Sequence, residues 1–456
     1  MDTAPEVTRP NRKLSIFSPR VLAWAAWDWG SAAFNAVMTT FVFTVYLTSN
    51  AFGGEDRASE ILGYGLAIAG VLIALTAPVT GLRSDANGRR KFWLGVNSVL
   101  VAILMALCFF VYPSPEFLLL GVGLIALGNI FFEFAGVNYN AMLHQVSTPQ
   151  TIGKISGFGW AMGYVGGIAA LIVVLYGFIQ PDVGLFGVTS ENGLNVRAVA
   201  VFSALWFAVF ALPVFLVVPE LKAGTPGKKI GFIESYRVLI RRVVQLFREQ
   251  PNTIRFLVAS AIFRDGLAAV FTFGGIIAAG TFGFQLAQVI QFAIFGNIIA
   301  ALGAVIGGFL DDRIGPKRVI VGALIGLILS GAAVLILGNG TYELGGFTLT
   351  GTMTFWIFGL LLCLFVGPAQ ASARAFLSRL APEHQQGELF GLYATTGKAV
   401  SFLAPLLFGV FISLFGEQRF GIIGILLVLI AGLILLLPVR SPRQKSTVQD
   451  THATRR

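Results

Sequence analysis

Charge is what this chain has least of: only 12% of its 456 residues are Asp, Glu, Lys or Arg, about half the share of an ordinary soluble domain. That shortage excludes a water-soluble fold, because too little solvating surface is available. Cysteine is nearly absent as well. The two present, Cys108 and Cys363, both fall inside long apolar runs, which excludes a disulfide framework and a cysteine metal site. His144, His384 and His452 are the only histidines and lie far apart, so neither a metal nor a cofactor is expected. Also missing are a Gly-rich phosphate loop ending in Lys-Ser/Thr, a His-Glu-x-x-His pair and a Ser between glycines as G-x-S-x-G. Without them the sequence points away from nucleotide hydrolysis, zinc proteolysis and serine hydrolysis, and so from an enzyme.

What remains is apolar, 56% of residues with a mean hydropathy of +0.80. Runs able to cross a bilayer fall at roughly 21–48, 61–82, 92–112, 117–142, 155–179, 197–218, 254–280, 285–310, 319–338, 353–373, 388–414 and 420–437. About twelve spans predict an all-α polytopic membrane protein embedded in the lipid bilayer, with both termini on one side. The 54 glycines lie largely within these runs, where small residues let helices approach closely. All but five of the 32 Lys and Arg fall in the tails, the central loop and the loops on one side; Arg57, Arg197 and Arg419 are assigned to the other side, and Arg264 and Lys398 to spans. The rich side is therefore cytoplasmic. The net charge of +10 becomes a topology signal rather than a nucleic-acid footprint. The first span carries Asp28 and three tryptophans, Trp24, Trp27 and Trp29, and is expected to stay in the mature protein instead of being cleaved as a signal.

The organisation expected is a cytoplasmic tail (1–20), a six-helix half (21–218), a cytoplasmic linker (219–252), a second six-helix half (253–437) and a second tail (438–456). In the linker, Phe232, Tyr236, Leu239, Ile240, Val243 and Phe247 recur at helical spacing with Arg237, Arg241, Arg242 and Arg248 between them. That pattern predicts an amphipathic helix on the inner membrane surface.

The halves repeat one another. Gly81, Asp85, Gly88, Arg89 and Arg90 after the second span match Gly308, Asp312, Arg313, Gly315, Lys317 and Arg318 after the eighth. Pro149, Gly153, Ser156 and Gly157 match Pro382, Gly387, Phe390 and Gly391, and Asp28 matches Asp265. All three landmarks recur in order about 230 residues apart, which indicates duplication. Gly81 and Gly308 permit close helix approach, while Asp85 and Asp312 suit a helix N-terminus or a basic partner.

This G-x-x-x-D-x-x-G-R/K-R/K pattern, present in both halves, resembles the signature loop of the major facilitator superfamily. The resemblance implies two pseudo-symmetric six-helix halves that transport by alternating access, with the loop latching the cytoplasmic side when the carrier opens outward. Ala86 stands where the superfamily usually has a basic residue, whereas Arg313 keeps it, so the first-half latch is expected to be the weaker. Four further stretches, Trp24–Phe34, Ser156–Gly167, Phe263–Gly266 and Phe390–Lys398, are similar to the vacuole-effluxer-like branch. Its fungal members are tied to amino-acid release from the vacuole during autophagy.

Polar side chains inside spans are costly unless they face a cavity or a partner, so they mark candidate pathway residues. Span 1 sets Asp28, Ser31, Asn35 and Thr39 on one face, span 4 sets Asn129, Glu133 and Asn140, and span 5 sets Ser156, Trp160 and Tyr164. Span 7 offers Asp265 and Thr272, span 10 Gln370 and Arg374, and span 11 Thr395, Lys398 and Ser401. In the superfamily, spans 1, 4, 7 and 10 line the central cavity. Arg264 points away from its neighbour Asp265 on a helix and is expected to meet a carboxylate elsewhere. Lys398 is expected to meet a substrate carboxylate or an acidic partner, and Glu133 and Asp265 are the candidate proton carriers. The reading that results is a monomeric bacterial plasma-membrane carrier for a small polar solute, an amino acid or related metabolite, with protons as a candidate coupling ion. An amphiphile or drug exporter, and a scaffold or receptor that keeps the fold without transporting, are the alternatives.

Overall fold

The computed structural model describes residues 15–220, 232–284, 286–344, 347–382 and 385–441. His384, His452, the N-tail up to residue 14 and the C-tail from residue 442 lie outside the described residues, as does the linker from 221 to 231. Among the described residues twelve helices are long and apolar enough to cross a membrane. The first six are α1 (Pro19–Leu47), α2 (Glu55–Asn87), α3 (Arg90–Phe110), α4 (Pro115–Val146), α5 (Ile152–Ile179) and α6 (Glu191–Val217). A linker helix, α7 (Phe232–Glu249), leads to α8 (Pro251–Gly280), α9 (Leu286–Ile314), α10 (Pro316–Leu337), α11 (Gly351–Leu380), α12 (Gln386–Phe415) and α13 (Gln418–Leu436). A hairpin of β1 (Tyr342–Leu344) and β2 (Phe347–Leu349) joins α10 to α11.

In hydrocarbon each backbone polar group must be bonded within its own segment, so an apolar run of this length folds as a helix. Local chemistry sets the ends. Proline opens α1, α8 and α10, where its missing N–H is no loss. Gly88, at φ +59°, stops α2: its N–H bonds Asp85 O while Arg89 N–H bonds Ser84 O. Several spans are irregular, two of them at the cavity. Residues Ala33–Phe41 of α1 are π-helical, and α12 is interrupted by a turn at Ser401 and Phe402 before its second segment, Leu403–Phe415.

Helix α7 rests against the bundle through buried Leu239 and Leu246, and its Tyr236 hydroxyl donates to Leu75 O at 3.3 Å on α2. Arg374, offered by span 10, is buried in the last turns of α11, and Arg379, expected in the basic loop after it, belongs to the same helix with its side chain 8% exposed. Arg197, assigned to a loop on the other side, is buried in the first turn of α6, over the Tyr112 ring at 3.5 Å. Each helix runs further than its apolar core, because an arginine with partners can continue a span into protein.

The halves meet where α2 packs on α12 and α5 packs on α9 and α11. These crossings depend on glycine. A methyl on Gly81 would strike the Gly387 carbonyl, and one on Gly157 would strike the Ala304 carbonyl. On Gly391 it would lie 2.6 Å from Ala77 O, and on Gly308 2.7 Å from Gly153 O. All four contacts fall at the end of the bundle that carries the basic α2–α3 and α9–α10 connections. This end is shut.

Gly157→Val and Gly391→Val are therefore expected to hold the halves apart there. Thiol labelling of a cysteine placed at Ala371, buried beside this seam, should rise about tenfold in either variant, corresponding to a bias of about 1.4 kcal/mol between two states.

Candidate functional site

A cavity of about 1180 Å³ lies between the halves. It reaches from the shut end toward the opposite end, where exposed Thr40 and Phe41 line it. Asp28, Ser31, Asn35, Glu133, Asn140, Trp160, Tyr164, Arg264, Asp265, Gln370, Arg374 and Lys398 all face it. Asn129, one turn before Glu133, is not on this wall, and Thr395 is turned away to donate to Ala74 O on α2 at 2.9 Å. Asn297 and Tyr139 line the cavity too. Asn297, a lone amide in an apolar run, was visible to the same polar-in-span criterion that found the others.

The floor is a buried ion pair. Asp28 Oδ2 on α1 accepts from the Tyr139 hydroxyl at 2.8 Å and from Arg374 Nη1 on α11 at 3.3 Å. Arg374 spends its remaining donors on Asn140 Oδ1 at 3.3 Å, Ser156 Oγ at 2.9 Å and Ser156 O at 2.6 Å. The planar guanidinium suits this, since it offers several N–H groups in fixed directions. Aromatic rings hold the acid in place: Tyr139 is stacked between Trp24 at 4.5 Å and Trp27 at 4.4 Å, and both indole N–H groups are bonded, to Tyr139 O and Ser98 Oγ. Trp24 and Trp27 are thus packing residues. Trp160 faces the cavity, with the Arg374 guanidinium 5.5 Å from its ring centre.

A second pair spans the cavity. Lys398 Nζ on α12 lies 3.1 Å from Glu133 Oε1 on α4, and each side chain keeps about 30% of its surface exposed. Arg264 meets no carboxylate among the described residues, contrary to expectation. It stacks on the Tyr393 ring at 3.8 Å and donates to Tyr393 O at 3.1 Å. Asp265 Oδ2 accepts from Ala404 N–H at 2.7 Å, at the start of the second segment of α12. The break in α12 exposes that N–H, and a carboxylate is well placed against a helix N-terminus.

The shut end is held by two reciprocal caps. Asp85 at the end of α2 accepts from Glu388 N–H at 2.9 Å, in the first turn of α12, and from Arg90 Nε at 2.7 Å. Asp312 at the end of α9 accepts from Gly153 and Lys154 N–H at 2.8 and 3.0 Å, in the first turn of α5. The loop aspartate of each half thus caps a helix of the other. The guanidinium on Asp312 is that of Arg379 at 3.0 Å, which also pairs with buried Asp311. Arg89, Arg313 and Arg318 are exposed, and Lys317 Nζ bonds Leu437 O at 2.7 Å. Gly315 takes φ +89° as it ends α9, which a side chain would strain.

Two six-helix halves around a cavity that holds ion pairs, shut at one end by backbone-capping aspartates, define a transporter of the major facilitator class. Solved structures agree on the fold: the proton:xylose symporter XylE superposes with a TM-score of 0.70 at 12% identity, covering 93% of this chain and 96% of that one. The human organic anion transporter MFSD10 gives a TM-score of 0.66 at 16% identity, covering 92% and 99%. Within that class the chain belongs to the family described as vacuole effluxer Atg22 like, whose model matches residues 144–449. An uncharacterized MFS-type transporter of Bacillus subtilis (strain 168), YxiO, is 25% identical over 94% of this chain and 96% of its own length. Autophagy-related protein 22 of Cryptococcus neoformans is 25% identical over 64% of this chain. The chain aligns with about half the length of that fungal relative, 53%.

Asp28→Asn should leave the Arg374 guanidinium buried without its counter-charge and lower stability by about 3 kcal/mol. Thermal unfolding in detergent checks this. Adding Arg374→Met to Asp28→Asn is expected to restore part of the loss, since it removes the cation left without a counter-charge.

Proposed function

We propose that the protein is a secondary active transporter that moves a small polar solute, an amino acid or a related metabolite, by alternating access with protons as the coupling ion. It works as a monomer in a bacterial plasma membrane, with both termini and the basic end of the bundle in the cytoplasm. On that orientation the conformation described is outward-open.

The observation that carries this reading is the Glu133–Lys398 pair. It bridges the two halves inside the cavity, yet both groups remain partly exposed. A solute carrying ammonium and carboxylate groups can exchange partners with such a pair at little electrostatic cost. Protonation of Glu133 would release Lys398, which couples a proton to the contact between the halves. Asp265 offers a second acid on the wall with a backbone N–H rather than a cation as its partner. Trp160, Tyr164 and Gln370 lie on the same wall, and each side chain carries a hydrogen-bonding group. Together with the ion pair these groups offer a polar solute directed hydrogen bonds on walls that are otherwise largely apolar.

The test is uptake of labelled amino acids into proteoliposomes with and without a pH gradient. A gradient should accelerate transport, and Glu133→Gln, Asp265→Asn and Lys398→Ala should each slow it by about tenfold or more, the worth of one charge-assisted hydrogen bond. Rates indifferent to the gradient, with full activity in both carboxamide variants, would overturn proton coupling. Transport by Lys398→Ala at the parental rate would remove the pair from the mechanism.

A further inference from the structure

Among the three cations on the cavity wall, two are neutralised: Arg374 by Asp28 and Lys398 by Glu133. The third is not. Arg264 has no carboxylate within ion-pair reach among the described residues, and its own neighbour Asp265 is engaged by Ala404 N–H. A guanidinium inside a span is costly unless something balances its charge. Here the balance is partial: one face lies on the Tyr393 ring at 3.8 Å and Nη1 is held by Tyr393 O at 3.1 Å. These two contacts fix the plane of the fork and use one of its five N–H groups.

The residue opposite is a glycine. A methyl on Gly397 would lie 3.3, 3.6 and 3.7 Å from Nη1, Cζ and Nη2 of Arg264, above the plane of the fork, so the absence of a side chain there leaves the guanidinium uncrowded. A fixed, partly exposed guanidinium beside a glycine matches the planar, two-oxygen geometry of an oxyanion, which it binds through paired N–H···O bonds. Lys398, a point charge already engaged by Glu133, lacks that fork.

We infer that Arg264 is the docking point for an oxyanion of the transported solute, a carboxylate or a phosphate, with Tyr393 positioning the guanidinium and Gly397 leaving it uncrowded. This rests on the cavity being the transport pathway, and it deepens that reading by requiring the solute to be anionic at one end. A solute that is only a cation or only neutral does not satisfy it.

The test reads Arg264 directly, whether or not transport has been reconstituted. The purified full-length protein is treated with phenylglyoxal, which modifies accessible guanidinium groups, and the adduct on the Arg264 peptide is followed by mass spectrometry. The probes are L-alanine, acetate, inorganic phosphate and L-alaninamide. Arg264 is expected to react, and L-alanine with either acetate or phosphate should slow the reaction about tenfold, in line with a charge-assisted bidentate contact, while L-alaninamide leaves it unchanged. Protection by acetate alone assigns a carboxylate; protection by phosphate alone assigns a phosphate. An unreactive Arg264, equal protection by the amide, or protection by none of the anions would overturn the inference. Gly397→Ala, with thermal unfolding to verify its fold, should weaken the protection, and Arg264→Lys should lose most anion-dependent stabilisation in a thermal shift. If alaninamide is carried as fast as alanine in proteoliposomes, the transport reading stands and the oxyanion site falls.

Discussion

Hydrocarbon penalises a lone charge, and in this molecule four acids find their partners across the seam between the halves. Asp28 on α1 reaches Arg374 on α11, Glu133 on α4 reaches Lys398 on α12, Asp85 on α2 reaches backbone N–H of α12, and Asp312 on α9 reaches backbone N–H of α5. The groups that make the interior electrostatically tolerable are therefore the same groups that hold the basic end shut. Separating the halves there would strip partners from several charges together, and water or solute must replace them as the seam opens. Few intermediate separations satisfy that requirement. The demand favours two discrete arrangements over a continuum, as alternating access needs.

The surroundings make the seam stiff where charges meet. Trp24, Tyr139 and Trp27 form a stack behind Asp28, and every indole and hydroxyl group in it has a fixed partner. Where the walls are not ionic, irregular backbone lines the cavity: the π-helical stretch Ala33–Phe41 in α1 and the break before Leu403 in α12. Non-helical backbone at membrane depth is tolerated where it faces protein or a polar cavity instead of lipid.

Much of this was legible from residues alone. Span number, duplication and the two aspartate loops follow from hydropathy and spacing, because a bilayer imposes a length and a duplicated fold preserves landmark order. The polar faces of α1, α5 and α12 could be drawn from a 3.6-residue period, but partners could not. Arginine near a helix end normally reports topology, and only the fold shows that Asp28 and Asp311 lie within reach of Arg374 and Arg379. Arg264 was assigned a carboxylate by the same logic of charge balance, and the structure gives it a tyrosine ring and a carbonyl. Asn129 shares its helix face with Glu133 on paper, yet the cavity wall does not extend to it.

The reciprocal caps have a consequence for evolution. Asp85 and Asp312 recognise N–H groups of Glu388, Gly153 and Lys154, not their side chains. Such a contact is blind to the identity of the residue that supplies it, apart from the glycines needed to let the backbones approach. A substitution at Lys154 or Glu388 leaves the backbone bond itself in place. Covariation between sequences will accordingly be silent about the strongest joints between the halves, and will report more readily on the side-chain pairs, Asp28 with Arg374 and Glu133 with Lys398, that the cavity exposes to its cargo.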